Sequence, residues 1–346
     1  MNSRERMLTA LNNGRPDRLP CQVHGWIDYY LRTYLGGMDW YQAYERFGMD
    51  YAIYVSPTYR YSDRDLARWR PERRELGIDS SGNYHWEETI TTPKGALHHA
   101  GSYNEITAWE TEPLVKTEAD FALWDAYLPL PVSADLTLIQ EARDKLGDRG
   151  IVRSHPFSAG QGSPWQSFCI LTGTQEAIMM AIDTPDFVHH ALNSILQKTL
   201  KVTELWRGTS ADMVETGGGA GSNTVISPKM FREFCLPYDR IQHAALHAVG
   251  VKIVYHLCGG LMHMLEMVAE NRVALTGRIG SRQGAFPTVL VVEFEHLSEL
   301  PIRGGIAPAA DGIGIPKKSV GLAADNERHR NLRVVLEQLF IQPFVV

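Results

Sequence analysis

The sequence predicts an α/β fold, a (β/α)8 barrel of the TIM type, on three observations. Short apolar, β-branched or aromatic segments alternate with helical ones along most of the 346 residues, which is the pattern of a parallel sheet with crossover helices. The strand candidates end in polar residues, His24, Ser56, His155, Glu215 and His256, at the place where such a barrel carries its chemistry. No Gly-x-Gly-x-x-Gly follows a strand, which turns a chain of this length away from a doubly wound dinucleotide fold.

The elements follow in order. Ser3 reads as the N-cap of a first helix with Met7, Leu8 and Leu11 at helical spacing, ended by Gly14 and Pro16. Leu19 to His24 is extended, Trp26 to Phe47 is an aromatic-rich helical stretch, and Gly48 breaks it before the strand Asp50 to Ser56. Within residues 75–109 the alternation of Tyr84, Trp86, Glu88 and Ile90, the turn Thr92-Pro-Lys-Gly95 and the run Ala96 to Ile106 predict an antiparallel hairpin inserted into the barrel. After a Pro-rich linker near Leu128 to Val132, helix Leu136 to Leu146 leads to strand Gly150 to His155. Helices around Trp165 to Ile182 and Pro185 to Trp206 lead to strand Ala211 to Glu215. Ser227-Pro228 opens a helix to about His247, and the strand ending at His256 comes next.

The last quarter, residues 271–346, departs from the pattern. Asn271 to Phe286 is short for a crossover, which needs about a dozen residues or more, and the strand candidates Thr288 to Phe294 and Ile302 to Ile306 lie close together. Gly304 to Gly314 is a loop by composition, and Asp325 to Leu339 reads as a final helix. We expect one domain over residues 1–346, with the hairpin inserted and the barrel closing irregularly.

Composition narrows the function. The formal charge of -6 and the lack of a Lys/Arg block argue against nucleic acid as a partner. No signal peptide and no long apolar run is visible, so the expected setting is the cytoplasm, away from membranes, and four scattered cysteines are expected to be reduced thiols. The aromatic stretch Trp26 to Tyr44 is read as packing on the barrel, with a homodimer surface as the alternative.

The chemistry concentrates after residue 214. In Val251-Lys-Ile-Val-Tyr-His-Leu-Cys-Gly-Gly260, His256 and Cys258 point to one face of a strand end, where imidazole and thiolate suit Zn²⁺. Glu215 is a further metal ligand or an acid/base, and Gly217, Gly218 and Gly219 after it allow a ligand to approach the backbone. An isolated buried histidine is more often a core residue, but His24 and His155 recur at equivalent strand ends and are expected in the substrate pocket. Zinc held by His and Cys with an exchangeable position binds a weak nucleophile such as a thiol, lowers its pKa and presents it to an electrophilic methyl group.

Ile226-Ser-Pro-Lys-Met-Phe-Arg-Glu-Phe-Cys-Leu-Pro-Tyr-Asp239, followed by Val254-Tyr-His-Leu-Cys-Gly-Gly260, resembles the uroporphyrinogen decarboxylase-like superfamily. So do Ser3-Arg-Glu-Arg-Met-Leu-Thr-Ala-Leu11, Gly14-Arg-Pro-Asp-Arg-Leu-Pro20 and Gly48-Met-Asp50. The resemblance runs from the start to about Glu270 and implies a (β/α)8 barrel. Tetrapyrrole decarboxylases of that superfamily carry an Arg-rich N-terminal motif and an Asp at the end of the second strand. This chain reads Cys21-Gln-Val-His-Gly-Trp-Ile-Asp28 and Val55-Ser-Pro57 there, so the likeness is to the corrinoid-dependent methyltransferase branch.

That branch implies methyl transfer between a methylcobamide and a small thiol, folate or methoxylated substrate, the corrinoid being carried by a partner protein or bound at the barrel mouth. Its thiol-activating members hold zinc through His-x-Cys and a later Cys. His256 and Cys258 match the first pair, and no cysteine follows Cys258. Glu215, His155, His24 or water is therefore expected to complete the shell. The alternatives are a decarboxylating lyase and a non-catalytic barrel that binds a corrinoid or small molecule.

Overall fold

The computed structural model describes residues 1–12, 14–157, 162–257, 262–270, 280–281 and 284–285. Its first helix, Ser3–Leu11, buries Met7, Ala10 and Leu11. The cap is Asn2 rather than the expected Ser3: Asn2 Oδ1 accepts the Glu5 amide at 2.8 Å and the Glu5 carboxylate accepts the Asn2 amide at 3.0 Å. This reciprocal pair satisfies two N-terminal donors that the helix itself cannot. The aromatic stretch is two helices, Asp28–Tyr34 and Trp40–Phe47, parted at Gly36 and Gly37, whose φ of 66° and 77° are left-handed. Trp26, Tyr30 and Tyr44 are buried in the core.

The strands in chain order are β1 Tyr51–Tyr54, β2 Thr58–Arg60, β3 Arg70–Ile78, β4 Tyr84–Thr92, β5 Gly95–Tyr103, β6 Ala108–Glu112, β7 Ser133–Asp135, β8 Gly150–Ser154, β9 Met213–Gly217 and β10 Lys252–His256, followed by a two-residue antiparallel pair, β11 Gly280–Ser281 and β12 Gly284–Ala285. Four of them form a parallel sheet in the order β1-β8-β9-β10. Ala52, Ile151, Val152, Val214 and Ile253 in these strands are wholly buried, as expected of parallel strands covered on both faces. Helices Thr137–Leu146, Pro164–Thr172, Thr174–Asp183, Pro185–Thr203 and Leu236–Ala248 lie between the strands in sequence. Gly173, at φ 86°, parts the pair that the sequence merged. Among the described residues the architecture is thus mixed α/β on a parallel sheet. Leu19 to His24 forms no strand, although the Cys21 carbonyl accepts the Asp50 amide at 2.7 Å just before β1.

The inserted hairpin is present as β4 and β5 and is wider than expected. With β3 and β6 it makes a four-stranded antiparallel sheet in the order β3-β4-β5-β6. The edge strand β3 gave no alternation because both of its faces are exposed and it is largely charged, with Pro71 near its start. Charge and proline on an edge oppose pairing with other chains. β2 and β7 pair antiparallel, β7 beginning directly after the segment that composition marks as linker.

The helix opened by Ser227, whose hydroxyl accepts the Met230 amide at 3.2 Å, runs Pro228–Met230, a π-turn Phe231–Cys235 and Leu236–Ala248. The expected strands Thr288 to Phe294 and Ile302 to Ile306, the loop Gly304 to Gly314 and the helix Asp325 to Leu339 lie outside the described residues. No described helix is long and apolar enough to cross a membrane.

Candidate functional site

Each strand of the parallel sheet delivers one side chain near its C-terminal end to a common place: Tyr54 from β1, Arg153 from β8, Glu215 from β9 and His256 from β10. Register explains why. Tyr54 is level with Arg153, Arg153 with Met213, and Met213 with Lys252. Glu215 stands two residues beyond Met213 and His256 four beyond Lys252, so all keep to one face of the pleat. His24 joins them from the segment before the first aromatic helix.

Glu215 is the centre. Its Oε1 lies 2.9 Å from His24 Nε2 and 3.3 Å from His256 Nδ1. Its Oε2 accepts from the Tyr54 hydroxyl at 3.0 Å and from the Arg153 guanidinium, and lies 3.1 Å from His24 Nε2. Arg153 and Glu215 are both fully buried, and the His24 side chain keeps 18% exposure. Arg153 also donates to the Tyr54 hydroxyl, to Gln22 Oε1 at 3.1 Å and to the His24 carbonyl at 3.2 Å.

Burial opposes the charge on Glu215, but His24, His256 and Arg153 outweigh it and hold the carboxyl well below its usual range. Burial pulls His24 below its ordinary value against the attraction of Glu215. An ionised carboxylate beside an imidazole inclined to neutrality, that of His24, is the state in which both act as metal ligands. One ligand atom from each of His24, Glu215 and His256 lies within 4.8 Å of the others, so these three side chains fit a single divalent cation.

The expected site residues fare differently. His24, Glu215 and His256 come together. His155 stands beside them, its ring stacked on Tyr54 at a 4.5 Å centroid separation and 6° tilt, and burial lowers its pKa to about 4. Ser56 is exposed and takes no part. Cys258 lies outside the described residues.

Gly217, Gly218 and Gly219 carry the chain away from Glu215, and two of them are needed by the protein's own packing. A Cβ on Gly217 would stand 2.3 Å from the His256 carbonyl oxygen, and one on Gly218 2.3 Å from Gln166 Oε1. Both have left-handed φ, 94° and 133°, and Gly218 N donates to the His256 carbonyl at 2.7 Å. The loop therefore fixes the end of β10. Behind it, Thr216 and His243 are joined at 2.9 Å and Tyr255 donates to the buried Asp239.

Sequence reasoning passed over Arg153 and Tyr54. The signal for Arg153 was a guanidinium in an otherwise small and apolar strand, two residues before His155 and so on the same face. A charge there has to be paired.

A parallel α/β sheet whose strand ends gather two histidines and a carboxylate offers a candidate site where such sheets carry their chemistry. Residues 109–278 match the family model described as uroporphyrinogen decarboxylase (URO-D). A uroporphyrinogen decarboxylase from Xanthomonas axonopodis pv. citri is 33% identical over 94 residues, 25% of this chain and 25% of that protein. One from Xanthomonas oryzae pv. oryzae is 27% identical over 135 residues, 35% and 37% of the two chains. The match to these curated relatives thus spans only a quarter to about a third of their length.

A methyltransferase from Methanosarcina mazei shares the fold, with a TM-score of 0.51 and 14% identity over 80% of this chain and 76% of that one. At that identity the likeness is one of fold. The resemblance to the uroporphyrinogen decarboxylase-like superfamily is borne out in sequence over residues 109–278.

Proposed function

We propose that this chain completes a (β/α)8 barrel and transfers a methyl group between a corrinoid (methylcobamide) carrier and a small thiol, folate or methoxylated substrate. A divalent metal ion held there, zinc in this reading, would activate the nucleophile. The observation that carries this reading is the convergence of His24, Glu215 and His256 within 4.8 Å. It is supported by a fold shared with a methyltransferase. The corrinoid would arrive on a partner protein or dock at the mouth of the barrel, and the reaction would run in the cytoplasm.

His24, Glu215 and His256 would hold the metal, with Cys258 as the further donor that the family resemblance implies. The metal's contribution is to lower the pKa of a bound nucleophile. The protein's own groups prepare the place. Arg153 and Tyr54 keep Glu215 ionised and oriented, and His155, uncharged at neutral pH, faces the site without competing as a cation. Burial of Arg153 and Glu215 excludes water from one side, so the approach is left to the side of His24, which retains exposure.

Metal analysis of protein purified without added metal, with a methyl-transfer assay using methylcobalamin and thiol or folate acceptors, tests this. About one equivalent of metal, lost in His256→Ala together with transfer, is expected. Negligible metal, unchanged by the substitution, overturns it.

A second reading, metal-free decarboxylation, draws on the family model and the names of the curated relatives. It needs cations facing substrate carboxylates, whereas Arg153 is wholly buried against Glu215. Carbon dioxide release by metal-stripped protein would favour it.

A further inference from the structure

Arg153 stands where its two amino groups reach different things. Nη2 donates to Glu215 Oε2 and to the Tyr54 hydroxyl, which itself donates to the same Oε2 at 3.0 Å. Nη1 donates to the His24 carbonyl at 3.2 Å and to Gln22 Oε1 at 3.1 Å, both on the segment that carries His24. The guanidinium lies over the Tyr54 ring, 4.1 Å from its centroid. One planar group therefore grips both the central carboxylate and the backbone of a histidine 2.9 Å from it.

The two oxygens of Glu215 differ as a result. Oε2 is engaged by Arg153 and Tyr54 and also lies 3.1 Å from His24 Nε2, while Oε1 lies closer to that nitrogen, at 2.9 Å, and is the oxygen beside His256 Nδ1. A carboxylate free to turn would offer both oxygens to a cation and fill positions that a substrate needs, because a metal acting on substrate keeps an open position.

We propose that Arg153 is a positioning residue: it reserves Glu215 Oε2, presents Oε1 alone to the metal and pins the His24 segment, so that a position stays open for the nucleophile. This rests on the metal reading of the site given above. Lysine retains the positive charge but cannot make the planar two-armed grip. Arg153→Lys thus separates positioning from charge neutralisation, which a test by charge removal would confuse.

The experiment loads the metal-stripped full chain with Co²⁺ and records visible absorption and affinity for the wild type, Arg153→Lys and Tyr54→Phe. Wild type should bind one equivalent with the intense bands of low coordination number. In Arg153→Lys the bands should weaken severalfold as the second oxygen binds, with affinity reduced about 10–100-fold, the usual loss on removing a partner that orients a ligand. Tyr54→Phe, which leaves Arg153 in place, should shift the bands the same way by less, and it carries the test if Arg153→Lys fails to fold.

Wild-type bands and affinity in Arg153→Lys, or in Tyr54→Phe when that variant alone folds, overturn the positioning role while leaving the metal site intact. A wild type that binds no Co²⁺ overturns the metal reading and the positioning role with it.

Discussion

The two ends of the parallel sheet are built from the same material, buried carboxylates facing arginines, and put it to different uses. At the N-terminal end Asp50 accepts from Arg6, twice from Arg18 and from the Cys21 amide. Nearby, Asp212 accepts two bonds from Arg4 and one from the Val152 amide, with Arg143 at 3.5 Å. Each carboxylate there is enclosed by fixed donors. At the C-terminal end Glu215 has one arginine on Oε2, and its other oxygen faces two imidazoles, which can exchange a proton for a metal. A buried ion pair is therefore no mark of function. What sets the C-terminal end apart is the pair of histidines at Glu215.

The largest effects test that contrast directly. Removing one partner of a buried pair costs about 3–5 kcal/mol by leaving the other charge uncompensated. Glu215→Gln strands Arg153 and Asp50→Asn deprives Arg6 and Arg18, so chemical denaturation should show losses of that order in both. Metal content should part them. Glu215→Gln should lose the bound metal, whereas Asp50→Asn, purified at low temperature, should retain the wild-type stoichiometry. Equal metal loss in both would show that the distinction between the ends is false.

Acid should separate the ends next. Burial lowers the His155 pKa to about 4, while the unfolded chain takes up that proton near the ordinary 6.5. The folded state thus binds fewer protons across this interval. The His155 contribution is complete above pH 6.5 and is lost as the pH falls towards 4, by up to about 2 kcal/mol after allowance for partial exposure. At the other end the Arg6 hydrogen bonds hold the Asp17 carboxyl below its usual range, so that contribution persists until the pH falls below the ordinary carboxylate range. Urea midpoints between pH 7 and 4.5 should fall in the wild type and fall less in His155→Gln. Parallel curves would remove His155 from the acid response.

How much of this was legible follows from the kind of information each part needs. His24, Glu215 and His256 could be picked out because each closes an extended or strand segment with a polar group, a local pattern. Their meeting required the strand order β1-β8-β9-β10 and its register, which no local pattern encodes. Arg153 was hidden by lying inside a strand, and Tyr54 because an aromatic in a strand passes for core. β3 escaped because an edge exposed on both faces has no buried side to set a period. In Gly14 to Pro20 and Gly48 to Asp50 the sequence shows helix ends and a family resemblance, with no local reason for their charged residues. The structure gives them a reason, since Asp17, Arg18 and Asp50 belong to the ion-pair cluster that Arg6 joins.

The smallest expected effect lies at the N-terminal end and asks whether its rigidity matters to the site at all. Asn2 and Glu5 cap the helix that carries Arg4 and Arg6 to Asp212 and Asp50. Asn2→Ala removes the acceptor for the Glu5 amide, which should cost about 1 kcal/mol, seen as a modestly lower denaturation midpoint with an unchanged slope. The two arginines are held mainly by their carboxylates, so the helix should stay docked and the metal affinity at Glu215 should not move. A matching fall in affinity would mean that the ends are mechanically coupled through β1, β8 and β9. The ion pairs beneath the sheet would then count as part of the site.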